Sequence, residues 1–315
     1  MDFRLSDDQT LLAESVRDYL AGTHGPEVLR RLDAEGARDP AIWHGLAEMG
    51  LTGLLVPEEY GGLGMGLIEA ALIAAECGRA CLAEPLVDSA FVGVPWLVAR
   101  GEVAGLDSVV SGERRIAVPH QINPWVADGP GEGLTSVDPL RRLAAAANNA
   151  SDDPHLMNLG ALMSAAQLVG LADAMLLQAT EYAKLRTQFG QPIGGFQAIK
   201  HSLANCAVAI EFAKPVIWRA AAAMQTGEAN AAVHVSHAKL SATDAATLAS
   251  ETAIQVHGAM GYTYEVDLHF WMKRSWALAG AWGDRAFHIK RIDNAVIGGA
   301  EAQPSLPIGP EHTFT

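Results

Sequence analysis

Apolar residues recur at helical spacing over most of the chain. Ser6 and Gln9 form a capping box, and Leu11, Leu12, Val16 and Leu20 follow at helical intervals. Asp39-Pro40 pairs a cap with proline at the first helical position, opening a helix that ends near Gly50. Further apolar helices are predicted over 68–79 and 85–99. Between 101 and 154 the pattern changes: Gly, Pro, Asn and Asp cluster, and the short apolar runs 115–118 and Trp125–Ala127 predict strands. That window has room for a few strands and not for a large sheet domain, so strand structure is expected only within about 103–150. Helical periodicity returns in long blocks over 156–186, 196–226, 230–257 and 266–297, with Pro215 expected to kink the second. Four long helices on short turns predict an antiparallel bundle.

The predicted fold is mostly α. It has an N-terminal helical domain (1–102), a truncated middle β segment (103–154), a C-terminal antiparallel four-helix bundle (155–300) and a tail (301–315) without periodicity, expected to be extended or disordered. An Ala-rich chain with only 6% aromatic residues favours closely packed helices. A formal net charge of −14 argues against nucleic acid and against an anionic membrane surface. The most apolar run, 161–179, contains Gln167, Gly170 and Asp173 and is read as a buried bundle helix, not a membrane span. Three cysteines and a polar, acidic N-terminus fit a reducing cytoplasm. Cys77 and Cys81, four apart in a helical pattern, are expected on one helix face as small buried residues, not as a metal or disulfide site.

Two segments carry candidate chemistry. Arg186 leads a turn at the end of a long helix, where a guanidinium can bind a pyrophosphate through paired hydrogen bonds. Gln188 and Gln197 add amides able to read an adenine or a ribose. The turn Gln255–Gly261, with Gly258 and Ala259 at its bend, exposes backbone N–H groups where small residues let a phosphate approach. Taken one at a time these features are equally a helix-end charge and an ordinary turn.

Together they resemble the acyl-CoA dehydrogenase family. The resemblance rests on Met1-Asp2-Phe3 through Gln9, Pro57-Glu58-Glu59-Tyr60-Gly61-Gly62, Arg186-Thr187-Gln188-Phe189-Gly190 through His201, and Gln255-Val256-His257-Gly258 through Tyr262, in that order. It implies that the last two segments bind the pyrophosphate and adenine of a neighbouring subunit's FAD, with Arg186, Gln188, Gln197, Gln255, Gly258 and Ala259 as the cofactor-binding positions.

The departures from the family pattern matter equally. Between Gly101 and Pro154 there is no Thr-Glu-Pro segment followed by Gly-Ser, which in the family holds the flavin ring and the thioester. About half of the middle domain is missing, and the chain is expected not to hold a flavin by itself. Dehydrogenation needs a carboxylate to take the α-proton. The family's Glu precedes the Gly of a Glu-Gly-Thr-like segment, where this chain has Trp282, or lies ten residues before the Gly that is Gly170 here, which is Gly160. No catalytic residue is therefore assigned. Glu251, Glu265, Asp267 and Asp284 read as solvated or structural, with Asp284 a helix N-terminal charge. His257 is expected to pack near the phosphate turn, and His269, His288 and Lys290 to lie on the polar face of the last helix.

The resemblance is strongest to the short subunits of heterotetrameric acyl-CoA dehydrogenases that act on steroid side-chain thioesters, through the stretch Gly261–His269. It implies a full-length homologous partner that supplies the base and binds the acyl-CoA, a shared FAD, and an electron-transfer flavoprotein as acceptor. A degenerate, non-enzymatic scaffold and a self-sufficient homomer with a relocated base are the alternatives. The retained Arg186 and Gln255 segments speak against the first and the missing sheet segment against the second.

Overall fold

The computed structural model describes residues 4–129, 132–145 and 150–298; the tail segment 301–315 lies outside them. Ser6 caps α1 (Asp7–Thr23) through the capping box, its Oγ accepting from the Gln9 N–H. Val16 and Leu20 face the core, whereas Leu11 is exposed. Helix α2 (Pro26–Glu35) and α3 (Pro40–Glu48) each start on a proline, and the Asp39 carboxylate caps α3 by accepting from the Ala41 N–H. Helix α4 (Leu67–Arg79) is followed by a π-helical stretch, Val87–Gly93, that runs into α5 (Val94–Ala99), and then by a short α6 (Leu106–Val110). Cys81 does not share a helix face with Cys77. It lies past the end of α4 in a left-handed turn, and both thiols are buried and unbridged.

The middle segment holds a small antiparallel sheet, β1 (Trp125–Ala127), β2 (Gly133–Leu134) and β3 (Leu143–Ala145), in the order β1-β3-β2, with Trp125 opposite Ala145. The run 115–118 is not a strand. The Ile116 N–H donates to the Ser89 hydroxyl at 2.7 Å, so buried Ile116 is tied to a helix and not to a ladder.

The Asp153 carboxylate caps α7 (Pro154–Leu185), accepting from the His155 N–H, with Pro154 at the first turn. This helix is long and apolar enough to cross a membrane, yet 83% of its most apolar window is buried inside the protein. A glycine contact explains how α4 reaches it: a Cβ at Gly170 would lie 1.8 Å from the Ala75 carbonyl oxygen, and one at Gly78 would lie 2.1 Å from that of Gln167. Only glycines allow the two backbones this approach. Arg79 locks the same seam, donating to Asp173 at 2.7 Å while its own carbonyl accepts from the Trp271 indole at 2.8 Å.

Helix α8 (Gln197–Gln225) continues through Pro215, and α9 (Ala231–His257) returns alongside it. Strand structure is not confined to the middle segment, because β4 (Thr187–Gln188) and β5 (Gln191–Pro192) form a two-residue hairpin between α7 and α8. Phe189 and Gly190 at its tip both have positive φ, 52° and 81°, as such hairpin turns require. The expected fourth helix is two helices, α10 (Leu268–Gly280) and α11 (Arg285–Val296). Trp282 and Gly283 adopt φ of 55° and 88°, which no right-handed helix accommodates, and Asp284 restarts the chain as the N-cap of α11.

Candidate functional site

The bundle runs α7 up, α8 down and α9 up, so the end of α7, the start of α8 and the end of α9 meet at one end. Tyr182, one turn before Arg186, stacks on His257 with ring centroids 4.3 Å apart. His257 Nδ1 hydrogen bonds to the Ala253 carbonyl at 2.8 Å, which fixes the ring. The stack joins the Arg186 turn to the Gln255–Gly261 turn; His257 packs beside the latter as expected, whereas nothing in the sequence pattern marked Tyr182 as its partner.

Arg186 ends α7; Gln188 lies in β4; Gln197 opens α8; Gln255 is in the last turn of α9 and Gly258 caps it with φ 61°; Ala259 follows in a short 3₁₀ turn. All six are exposed. Among the described residues the Arg186 guanidinium makes no ion pair, so its donors are unspent. The α8 N-terminus has no side-chain cap, leaving first-turn N–H groups for an anion. A cation, three amides and a helix N-terminus suit a pyrophosphate and a nucleoside, so the residues present fit FAD. None of the six lines the cavity beside Arg38 and Arg115 or the smaller one beside Arg274. Phe189 belongs with them: it is 93% exposed, and the Phe-Gly pair between two glutamines was the available signal of the hairpin that presents it.

The two positions assigned by resemblance to a base meet in the structure. A Cβ at Gly160 would lie 2.0 Å from Cδ2 of Trp282, so the buried indole fills the space above Gly160. Three groups hold Trp282 in its left-handed conformation. Asn123 Oδ1 accepts from its N–H at 3.1 Å, His288 Nε2 contacts its carbonyl at 3.0 Å, and Lys239 binds the flanking carbonyls of Leu278, Ala279 and Ala281 at 2.7, 3.2 and 2.7 Å. His288 is fully buried, not on a polar face. Its Nδ1 meets the Ser236 hydroxyl at 3.1 Å, and burial, with Lys239 nearby, pushes its pKa down to about 3. Burial lowers that of Lys239 to about 7, against the pull of Asp284. Asp284 caps α11 by accepting from the Phe287 N–H at 2.8 Å, as expected, and Glu251 and Glu265 are exposed. Asp267 pairs with Arg30 at 2.9 Å.

Comparison with known proteins agrees with this architecture. The acyl-CoA dehydrogenase N-terminal domain family matches residues 6–101 and the acyl-CoA dehydrogenase C-terminal domain family matches 155–297. Acyl-CoA dehydrogenase IpdE2 of Mycobacterium tuberculosis is 31% identical over 317 residues, covering 92% of this chain and 98% of the relative. The ChsE4-ChsE5 complex from Mycobacterium tuberculosis matches with a TM-score of 0.76 at 22% identity, over 93% of this chain and 98% of that one. A variant of the Tcur3481-Tcur3483 steroid ACAD matches with a TM-score of 0.81 at 23% identity, over 93% and 99%. At these identities the two structures speak to the fold, while the family matches and the sequence relative speak to descent: this chain belongs to the acyl-CoA dehydrogenase family.

Proposed function

We propose that the chain is the short subunit of a heteromeric, FAD-dependent acyl-CoA dehydrogenase, completing a partner's cofactor site and contributing no base. The observation that carries this reading is the contact between Trp282 and Gly160. A carboxylate at either position would need the space the indole fills, and Trp and Gly can take no proton. The six clamp residues support it from the other side, because they face solvent at one end of the bundle, where a second subunit can reach them. Arg186 would hold the pyrophosphate, Gln188, Gln197 and Gln255 the nucleoside, and the backbone at Gly258 and Ala259 a phosphate oxygen. FAD, when bound, supplies the hydride acceptor for α,β-dehydrogenation of an acyl-CoA. This chain's own part is to bind and orient that group and to exclude water from it. The two-component ChsE4-ChsE5 and Tcur3481-Tcur3483 assemblies, the latter described as a steroid ACAD, support a heteromer acting on a bulky, steroid-derived thioester. The test is co-expression with full-length homologues. A yellow, active complex is expected, with a colourless and inactive single chain; turnover of any acyl-CoA by the purified chain alone overturns the reading.

A further inference from the structure

The loop between α2 and α3, the turn after α4, Arg115 and the adjoining ends of β1 and β3 line an open cavity of about 700 Å³. That volume falls in the range of small-molecule sites. Its charged walls are Arg38, Arg115, Arg142, Glu84 and Asp128. Four of these neutralise one another. Arg38 pairs with Asp128 and lies 3.9 Å from Glu84, while Arg115 lies 3.4 Å from Glu84 and 3.5 Å from Asp128. Arg115 is also braced from behind, its guanidinium 4.4 Å above the Trp43 ring.

Arg142 is the remainder. Its backbone is fixed by the Asp128 N–H, which donates to the Arg142 carbonyl at 2.9 Å where β1 ends and β3 begins. Its side chain is exposed and, among the described residues, makes no ion pair or hydrogen bond. Arg38 Nε is a second unspent donor, buried and without a hydrogen-bond partner. Three guanidiniums therefore face at most two carboxylates. Burial pushes the Glu84 carboxyl up, and protonating it would only enlarge the positive excess. Pro40 and Leu143 add apolar wall. A cavity with one uncompensated positive charge, a planar fork of free donors and an apolar side matches one kind of ligand.

We propose that this cavity binds a small organic acid, its carboxylate on Arg142 and its apolar body against Pro40 and Leu143. The assignment needs neither flavin nor a partner subunit, so its failure and the failure of the proposed function are separate outcomes.

The experiment is calorimetric titration of the full purified chain with cyclohexanecarboxylate, cyclohexanecarboxamide and inorganic phosphate. Saturable binding of the carboxylate is expected; the neutral amide should be weaker by about ten-fold or more for want of the charge-assisted hydrogen bond, and phosphate weaker because it has no apolar body to lay against Pro40 and Leu143. Arg142→Gln should weaken the carboxylate by about ten-fold or more and leave the amide unchanged, whereas Arg142→Lys, which keeps the charge and loses the planar fork, should recover only part of the affinity. Arg100→Gln, on a surface pair with Glu102, serves as the control and should change nothing. Absence of saturable carboxylate binding overturns the proposal, as does equal binding by Arg142→Gln and Arg100→Gln, or by acid and amide. Phosphate binding as tightly as the carboxylate overturns the organic-acid assignment.

Discussion

The indole of Trp282 packs on the backbone of Gly160, and each residue explains the other. A Cβ at 160 would lie 2.0, 2.3 and 2.4 Å from three indole atoms, so the helix must present glycine there for the ring to enter. Gly160→Ala should therefore displace the ring and destabilise the chain by about 1–3 kcal/mol, the usual cost of overpacking. Trp282→Ala should cost about 3–5 kcal/mol through the cavity it leaves. The double variant should cost less than the sum, because the new methyl enters space the indole has vacated. Chemical denaturation of the three variants measures this, and strict additivity would show that the contact is not what couples the two positions.

Phe189 sets stability against association. The exposed Phe189 ring has an edge-on contact with Phe196, centroids 6.2 Å apart, to set against φ 52°, a conformation that costs an L-residue about 1–2 kcal/mol. Asn tolerates it far better. Phe189→Asn should raise the unfolding free energy of the isolated chain by about 1 kcal/mol while reducing flavin retention in the complex. Arg186→Ala should leave stability unchanged and raise the FAD dissociation constant by about ten- to a hundred-fold, the value of one charge-assisted hydrogen bond. Full flavin content in an Arg186→Ala complex would remove Arg186 from the clamp.

How much of this was legible depended on whether the cause was local. Ser6 and Asp39 cap helices through their own neighbours, so the starts of α1 and α3 could be read directly. The Arg186 turn was also legible, as a cation at a helix end. The run 115–118 was misread because the partner of the Ile116 N–H, Ser89, lies 27 residues away on another element. The break at Trp282 was missed because neither tryptophan nor its neighbours announce a positive φ; Asn123, His288 and Lys239 impose it from three separate segments. His288 looked exposed because α11 is rich in charge, yet its ring turns inward onto Ser236. The meeting of Gly160 and Trp282 joins residues from α7 and the α10–α11 break, and no spacing rule could have brought them together.

Lys239 should prove a structural hydrogen-bond donor. Its Nζ is buried and donates to three carbonyls at the end of α10, where no helical N–H remains to do so. Lys239→Met keeps most of the volume and removes every donor. Each buried carbonyl left unsatisfied costs about 1–3 kcal/mol, so a loss of several kcal/mol is expected. Because Ala281 adjoins Trp282, the near-ultraviolet circular dichroism of the folded fraction should change as well. A variant of wild-type stability would mean that the carbonyls find other donors.

Acid should destabilise the chain through its buried histidines. Burial lowers His24 from 6.5 to about 4 and His288 from 6.5 to about 3. Both are therefore neutral in the folded chain at neutral pH, while in the unfolded chain they titrate near 6.5. Below pH 6.5 the unfolded state binds protons that the folded state refuses, so stability is complete above that pH and falls as pH drops towards 4. Each histidine adds at most about 1.4 kcal/mol per pH unit in that window. The carboxylates titrate nearby, so the histidine share is isolated by difference. His24→Gln retains an acceptor for the Ala83 N–H, which His24 Nε2 now receives at 3.3 Å, but cannot bind a proton. Urea unfolding of both proteins between pH 7.5 and 4.5 should give the variant a shallower loss of stability on acidification, by up to about one proton. Parallel curves would mean that His24 is already protonated in the folded chain or never buried.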